Sequence, residues 1–264
     1  MKPAPFRYVR PETLEEVLAA LANEEEVKVL AGGQSLVPAL NMRLVRPSLL
    51  VDINRVSELD DVVSNNGRLA VGATVRQSNP RLLDHPLLAE ALPHIGHFVT
   101  RNRGTVGGSI AHADTAAELP LCLVLLGGSV RTRSARSERE IAARDFFVTH
   151  FKTALEPDEL VVETLWPNPH KGWGYAFCEV AQRHGDYALC MAAAAARGDE
   201  LRVALGSIVD RPTLFEVDPQ RAGESAADQV KPWGNVHASP AYLTHLVQVL
   251  VDRAVALARE RAVA

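Results

Sequence analysis

The sequence predicts an α+β fold in two parts, on three observations. A helix-period stretch at 11–22 leads into a β-branched run at 27–31. Two glycine-rich turns, at 31–35 and 105–109, each follow a strand-like or basic segment and precede an apolar stretch. Three strand patterns, at 175–180, 188–195 and 201–208, precede one long helical pattern at 241–261. Helix and strand are distinguished here by their periods, 3.6 residues against 2.

Taken in order, residues 11–22 place leucine, valine and alanine at helical spacing, with Glu12, Glu15 and Glu16 in the first turn, where carboxylates favour a helix N-terminus. The run 27–31 is a strand ending in Gly32-Gly33, a helix is expected over 36–44, and 49–53 reads as the next strand. The first fifty residues thus form a small α/β unit. A strand at 69–73, a turn or helix entry at 76–83 and a helix over 86–99 lead to the second glycine turn. The apolar stretch 116–126 follows it, then an exposed hairpin over 130–141, a short helix within 145–153 and a strand at 159–166. Pro167, Pro169 and Gly172 mark the best domain boundary, at 166–172. Beyond it, 216–236 is rich in charge, proline and glycine and is expected to be a loop.

Composition narrows the function classes. A chain of 264 residues with net charge −4 carries no basic footprint for nucleic acid. No stretch approaches the roughly 18 consecutive apolar residues of a membrane span, and the first residues lack a secretory pattern, so the expected location is cytoplasmic. Cys122, Cys178 and Cys190 stand far apart in apolar surroundings and read as buried thiols. They make no C-x-x-C pattern and cannot supply the ligands of an iron–sulphur cluster.

The glycine turns carry the chemistry. Glycine admits positive φ and lets a phosphate approach the main chain, so successive N–H groups can form an anion nest without a lysine. The hydroxyls of Ser35, Thr105 and Ser109 add donors. Neither turn is G-x-x-x-x-G-K-[ST] or G-x-G-x-x-G, which points away from P-loop and Rossmann enzymes. Two cradles of this kind can hold the two phosphates of one dinucleotide.

Several longer segments extend the pattern: A-G-G-Q-S at 31–35, R-N-R-G-T-V-G-G-S-I-A-H-A-D at 101–114, A-E-L-P at 117–120, L-E-P-D-E-L at 155–160, R-H-G-D-Y-A at 183–188, D-R-P at 210–212, and H-A-S at 237–239 with Tyr242. Together they resemble the FAD-binding medium subunit of the molybdenum hydroxylases, the group of carbon monoxide dehydrogenase and xanthine dehydrogenase. The resemblance implies an FAD-binding domain of the vanillyl-alcohol-oxidase/PCMH type over 1–170, with subdomains at about 1–55 and 56–170. A C-terminal α/β domain like that of the carbon monoxide dehydrogenase flavoprotein follows over 171–264.

By the same resemblance Leu30, Ala31, Gly32, Gly33, Gln34, Ser35, Leu36 and Val37 touch FAD, with the N–H groups of Gly33 to Ser35 facing the pyrophosphate. Thr105, Val106, Gly107, Gly108 and Ser109 do likewise. Glu118 stands where a carboxylate can accept from a sugar hydroxyl, Gly96 and Val161 match lining positions, and Tyr187 matches an aromatic beside the isoalloxazine ring. The implied activity is electron relay as an oxidoreductase subunit, with no general base or nucleophile. Molybdenum cofactor and 2Fe-2S clusters are expected only on partners, a molybdenum-binding large subunit and an iron–sulphur small subunit, assembled as a dimer of heterotrimers. A stand-alone FAD oxidase or reductase and a non-catalytic assembly subunit are the alternatives. Against the family, 213–236 is short and lacks an additional helix, which implies a trimmed C-terminal domain.

Other candidates have plainer readings. Arg101 and Arg103 read as surface charge. His94 and His97 share i, i+3 spacing without a third metal ligand. Asp114 and Glu118, four apart, read as structural capping and sugar contact rather than an acid–base pair. Gly172-Trp173-Gly174 is a turn.

Overall fold

In the computed structural model, which describes residues 2–262, the first helix begins where its cap predicts. The Thr13 hydroxyl accepts the Glu16 N–H, starting α1 (Leu14–Asn23), whose Leu14, Val17, Leu18 and Leu21 are buried. They pack on a parallel sheet in which β3 (Leu49–Asp52), buried throughout, lies between β1 (Arg7–Val9) and β2 (Val27–Leu30). The edge strand β1 is three residues long and exposed, too short to show a period. The crossover from β2 to β3 carries α2 (Leu36–Asn41), shorter than the expected 36–44 because Arg43 takes a positive φ of 58°.

The middle of the chain forms an antiparallel sheet. Its order is β4 (Val62–Asn65), β5 (Arg68–Gly72), β10 (Leu160–Pro167), β6 (Ser129–Arg133) and β7 (Glu138–Ala142). The 130–141 hairpin is therefore not fully exposed, since β6 is held between β10 and β7. The expected single helix over 86–99 is broken. The segment α3 (Pro86–Ala91) passes into a 3-10 turn at Leu92–His94, the chain bends at Gly96 with φ 47°, and α4 (Phe98–Arg101) restarts. Pro93 inside the 3-10 turn donates no N–H, which ends the α-helical ladder there. Then come α5 (Val106–His112) and α6 (Glu118–Leu126), the latter buried at all nine positions. In place of the helix expected within 145–153, α7 (Ala143–Phe146) gives way to a two-stranded ribbon, β8 (Phe147–Thr149) with β9 (Lys152–Thr153).

The last third is an antiparallel meander of β11 (Gly174–Ala181), β12 (Ala188–Arg197), β13 (Glu200–Gly206) and β14 (Thr213–Phe215). Strand β12 is buried on both faces. Ala193 and Ala195 belong to the core that contains α6, whereas Ala192, Ala194 and Ala196 join the core under α9 (Pro240–Arg261). A strand alternates its side chains, and alanine on both sides lets a helix approach each face. The segment 216–236 is not only a loop: α8 (Ala222–Asp228) packs on α9, its Gly223 N–H donating to Asp252 Oδ1 at 2.8 Å. A helix thus stands in the segment expected to be a helix-free link. By length and hydropathy α9 is apolar enough to cross a bilayer, but its Leu243, Val247, Leu250, Val251 and Ala254 are buried against the meander.

Candidate functional site

The two glycine turns meet. A Cβ on Gly32 would collide with the Arg103 carbonyl and the Gly104 Cα, so the first turn lies directly on the backbone entering the second. Side chains tie the same junction. Asn54, just past β3, donates to the Ala31 carbonyl at 2.8 Å and accepts from Arg76 at 2.7 Å. Arg76 also donates to the Arg103 carbonyl at 2.6 Å. Asn54 in turn rests on Asp52, which accepts the Tyr8 hydroxyl at 2.6 Å. Burial pushes the Asp52 carboxyl up, but the bonds from Tyr8 and Asn54 outweigh it and hold it below its ordinary range. Burial, helped by the Arg103 charge, lowers Arg76.

Each glycine of the turns has its own reason. Gly33 takes φ 73°, and its carbonyl accepts the Val37 N–H at 2.9 Å. Gly107 lies on Ala73, where a side chain would strike backbone. Gly108 faces Ala31 across the junction, its added Cβ 3.8 Å from the alanine Cβ. In the second turn much of the expected N–H nest is already used: Val106 donates to the Val75 carbonyl at 2.9 Å, Gly108 to Thr105 Oγ1 at 3.0 Å, and Ser109 to the Thr105 carbonyl at 3.1 Å. In the first turn the N–H groups of Gly33, Gln34 and Ser35 have no acceptor among the described residues. Three consecutive unused N–H donors thus stand in the first turn, against which the second turn packs.

A second wall comes from the bend at Gly96 and the β11–β12 loop. Arg101 Nη1 donates to the carbonyls of Ile95 at 2.9 Å and Gly96 at 3.2 Å, so it holds the bend rather than covering the surface. Gly185, at φ 84°, packs on the Gly96 carbonyl. Two residues on, Tyr187 is 68% exposed, with its hydroxyl toward Ser35 and within reach of the Asp114 and Glu118 charges. Burial and the Asp114 charge raise its phenol above the ordinary value, with the Ser35 hydroxyl opposing. Tyr187 thus spans from the C-terminal meander to the first turn.

The inner wall is acidic and buried. Glu118, at the start of α6, is pushed up to about 8 by burial and by the neighbouring Glu179. Glu179 on β11 is pushed up to about 7 by burial. His94 Nδ1 lies 3.7 Å from Glu179 Oε1, beyond hydrogen-bond length, and burial lowers its ring pKa. Asp114 Oδ1 accepts the Ala116 N–H at 2.9 Å, a capping role. His94 and His97 fall on either side of the Gly96 bend, each with its ring centroid 6.4 Å from His184.

The structure therefore gathers Leu30 to Val37, Thr105 to Ser109, Gly96, Glu118 and Tyr187 around one junction. Val161 is 4% exposed in the core that also contains α6 and has little open surface. The sequence reading takes Arg101 as surface charge and passes over Tyr8, Asp52, Asn54, Arg76 and Glu179. A lone carboxylate in the apolar run 175–181 was the available signal for Glu179; nothing local distinguishes Arg76 from a surface arginine. A groove of about 520 Å³ on the five-stranded sheet, lined by Arg68, Arg131 and Glu163 among others, includes none of the turn residues.

Residues 4–169, both glycine turns included, match the family described as FAD binding domain in molybdopterin dehydrogenase. Over 99% of its length the chain is 39% identical to the 6-hydroxypseudooxynicotine dehydrogenase complex subunit alpha of Paenarthrobacter nicotinovorans, covering 97% of that protein. It is 36% identical, with 99% of this chain and all of the relative covered (100%), to the nicotine 6-hydroxylase medium subunit of the same organism. Its backbone follows a chain of quinoline 2-oxidoreductase from Pseudomonas putida 86 with a TM-score of 0.92, 36% identity and 99% of each chain covered. Agreement in sequence and backbone over essentially the whole length leads to one conclusion: the chain belongs to the family of FAD-binding subunits of the molybdopterin dehydrogenases.

Proposed function

We infer that this chain is the FAD-binding electron-transfer subunit of a multisubunit molybdenum hydroxylase, an oxidoreductase component that takes electrons from iron–sulphur clusters on a partner and passes them to an external acceptor. The observation that carries the reading is the first turn, with three successive N–H groups lacking a protein acceptor, docked on the second turn and reached by Tyr187. That arrangement fits a dinucleotide: a pyrophosphate needs donors without competing side chains, and an aromatic ring needs a flat apolar neighbour.

The residues divide the work. Gly33, Gln34 and Ser35 hold the pyrophosphate from the first turn, and Thr105 to Ser109 close the opposite side. Leu30, Leu36, Val37 and Gly96 line the cofactor, Glu118 accepts from a sugar hydroxyl, and Tyr187 shields the ring. Bound FAD supplies the capacity to accept and release electrons. Asn54, Arg76 and Arg101 keep the walls in register. Val161 contributes from behind, through the core.

Residues 1–170 act as the FAD-binding domain, with subdomains at about 1–55 and 56–170, and 171–264 as the C-terminal flavoprotein domain. The family match ending at residue 169 supports this division. The partners are a molybdenum-binding large subunit and an iron–sulphur small subunit in a dimer of heterotrimers, in the cytoplasm. Buried, widely separated thiols on this chain and relatives named as subunits of dehydrogenase complexes support that assembly. Substrate choice then rests with the molybdenum subunit.

The purified chain is expected to be yellow and to release FAD on denaturation. Gly33→Val, which would strain a positive φ and crowd Leu30 and Val37, should weaken FAD binding by at least about tenfold, roughly 1.4 kcal/mol. Fluorescence titration of the apoprotein measures it; a folded protein that takes up no FAD would defeat the reading.

A further inference from the structure

We propose that Asp114 is a further residue of the cofactor site, and that its carboxylate faces the bound flavin and holds the reduction potential down. The proposal rests on the FAD reading above.

The backbone around Asp114 is fixed in an unfavourable form. Six non-glycine residues among those described take a positive φ, and three of them, Ala113 at 52°, Phe151 at 57° and Ser207 at 66°, converge here. Phe151, at the tip of the β8–β9 ribbon, donates its N–H to the Ala113 carbonyl at 2.9 Å. Ser207, just past β13, donates to the Thr115 carbonyl at 2.7 Å. Segment 113–115 is thus gripped by two residues that are themselves strained. Such conformations persist only where the surrounding structure imposes them, and they gather at ligand sites. The segment continues directly from α5, which starts in the second glycine turn, so Asp114 is held in register with that turn.

The fold does not need a charge at this position. Asp114 Oδ1 accepts the Ala116 N–H at 2.9 Å, which an asparagine would do equally well. A carboxylate just past the C-terminus of α5 opposes the helix dipole, and no ion pair among the described residues includes it. Oδ2 accepts no hydrogen bond among the described residues, yet it is not one of the buried unpartnered atoms, so it lies in the 7% of the residue that is exposed. The Asp114 charge also reaches two site residues. After burial it is the next cause raising the Tyr187 phenol, and it adds to burial and Glu179 in raising Glu118.

An unneutralised negative charge in the wall of a site for an anionic dinucleotide does not favour binding. It acts instead on the ring's affinity for electrons. Two electrons taken up with one proton leave the ring one charge more negative, and a fixed carboxylate beside it opposes that change. The result is a cofactor that gives its electrons up more readily, as a relay requires.

The test uses the full chain loaded with FAD, its midpoint potential read from the flavin spectrum against a reference dye, and FAD affinity read by fluorescence titration of the apoprotein. Asp114→Asn keeps an acceptor for the Ala116 N–H and removes the charge. It should favour the reduced over the oxidised flavin by about tenfold relative to wild type, an upward shift of about 30 mV for a two-electron couple. It should bind oxidised FAD at least as tightly as wild type does. Asp114→Ser, which also keeps an acceptor without charge, should shift the same way. An unchanged or lowered potential in either folded variant would overturn the proposal, and so would oxidised FAD bound about tenfold more weakly by both, which would make Asp114 a binding residue. A wild type that takes up no FAD would instead defeat the FAD reading on which it rests.

Discussion

Three buried ionisable side chains, His85, Glu118 and Glu179, make stability depend on pH in opposite senses. His85 is 2% exposed; its Nδ1 accepts the Leu87 N–H at the start of α3, and burial pushes its pKa down to about 4. Between about 4 and its ordinary 6.5 the unfolded chain binds the extra proton, so the His85 contribution rises with pH across that window. Glu118, at about 8, and Glu179, at about 7, both start from 4.5 and act the other way. The folded protein holds their protons above pH 4.5, and that stabilisation is lost as pH rises through the folded values. Above pH 6.5 only the glutamates among these three still act. Apoprotein stability should therefore fall by roughly 1–3 kcal/mol between about pH 6.5 and 8.5, and Glu118→Gln should flatten that slope. Urea midpoints across the range measure it; a stability that rises with pH there would refute the assignment. In the sequence, Glu118 stands out as a candidate through the A-E-L-P segment, but its protonation does not, because its burial is set by tertiary packing and the charge that adds to it, Glu179, lies on β11 about sixty residues away.

At the scale of elements, the contact between the α/β unit and the antiparallel sheet decides the cradle. Arg76 reaches both Asn54 and the Arg103 carbonyl, so it bridges the two glycine turns from outside. Arg76→Ala should cost about 1–3 kcal/mol, because it leaves the Asn54 and Arg103 oxygens without their donor, and should lower FAD affinity with it. Thermal melts and FAD titration give the two numbers; loss of stability with unchanged affinity would show that the junction does not shape the site. The elements themselves were mostly legible. The caps and periods of 11–22 and 241–261 are local properties, and α1 and α9 lie close to where they were expected. The broken helix at Gly96 and the exposed-looking hairpin at 130–141 were misread for a physical reason. Gly96 adopts its positive φ where Arg101 and Gly185 pin the bend, and β6 becomes interior only once β10 pairs with it.

For the whole molecule, one core runs from α3, α5 and α6 into β11, β12 and β13, through Leu119, Leu123, Tyr175, Phe177 and Ala193. The proposed domain boundary at 170 is therefore crossed by a shared hydrophobic interior, and Tyr187 crosses it again at the first turn. FAD bound between the two should stabilise them together. At free FAD one hundred times its dissociation constant the gain is about 2.7 kcal/mol, visible as a single transition moving to higher temperature as FAD is added. Calorimetry that shows one part shifting and the other unmoved would place the cofactor on one side of the boundary only.

Local spacing along the chain was enough for the mixture of helix and strand and for the two glycine turns, and the longer segments' resemblance to a known family was enough for the family and the cofactor. Only the tertiary structure decided how the turns share the work. Gly32 and Gly107 sit in backbone contact, the N–H groups of Val106, Gly108 and Ser109 are used within the protein, and the three consecutive N–H groups without an acceptor among the described residues lie in the first turn. It also decided the placement of Asn54, Arg76 and Glu179. A hydrogen-bond partner or a desolvated carboxyl is a property of which distant segments come together, and the chain's linear pattern does not record that meeting.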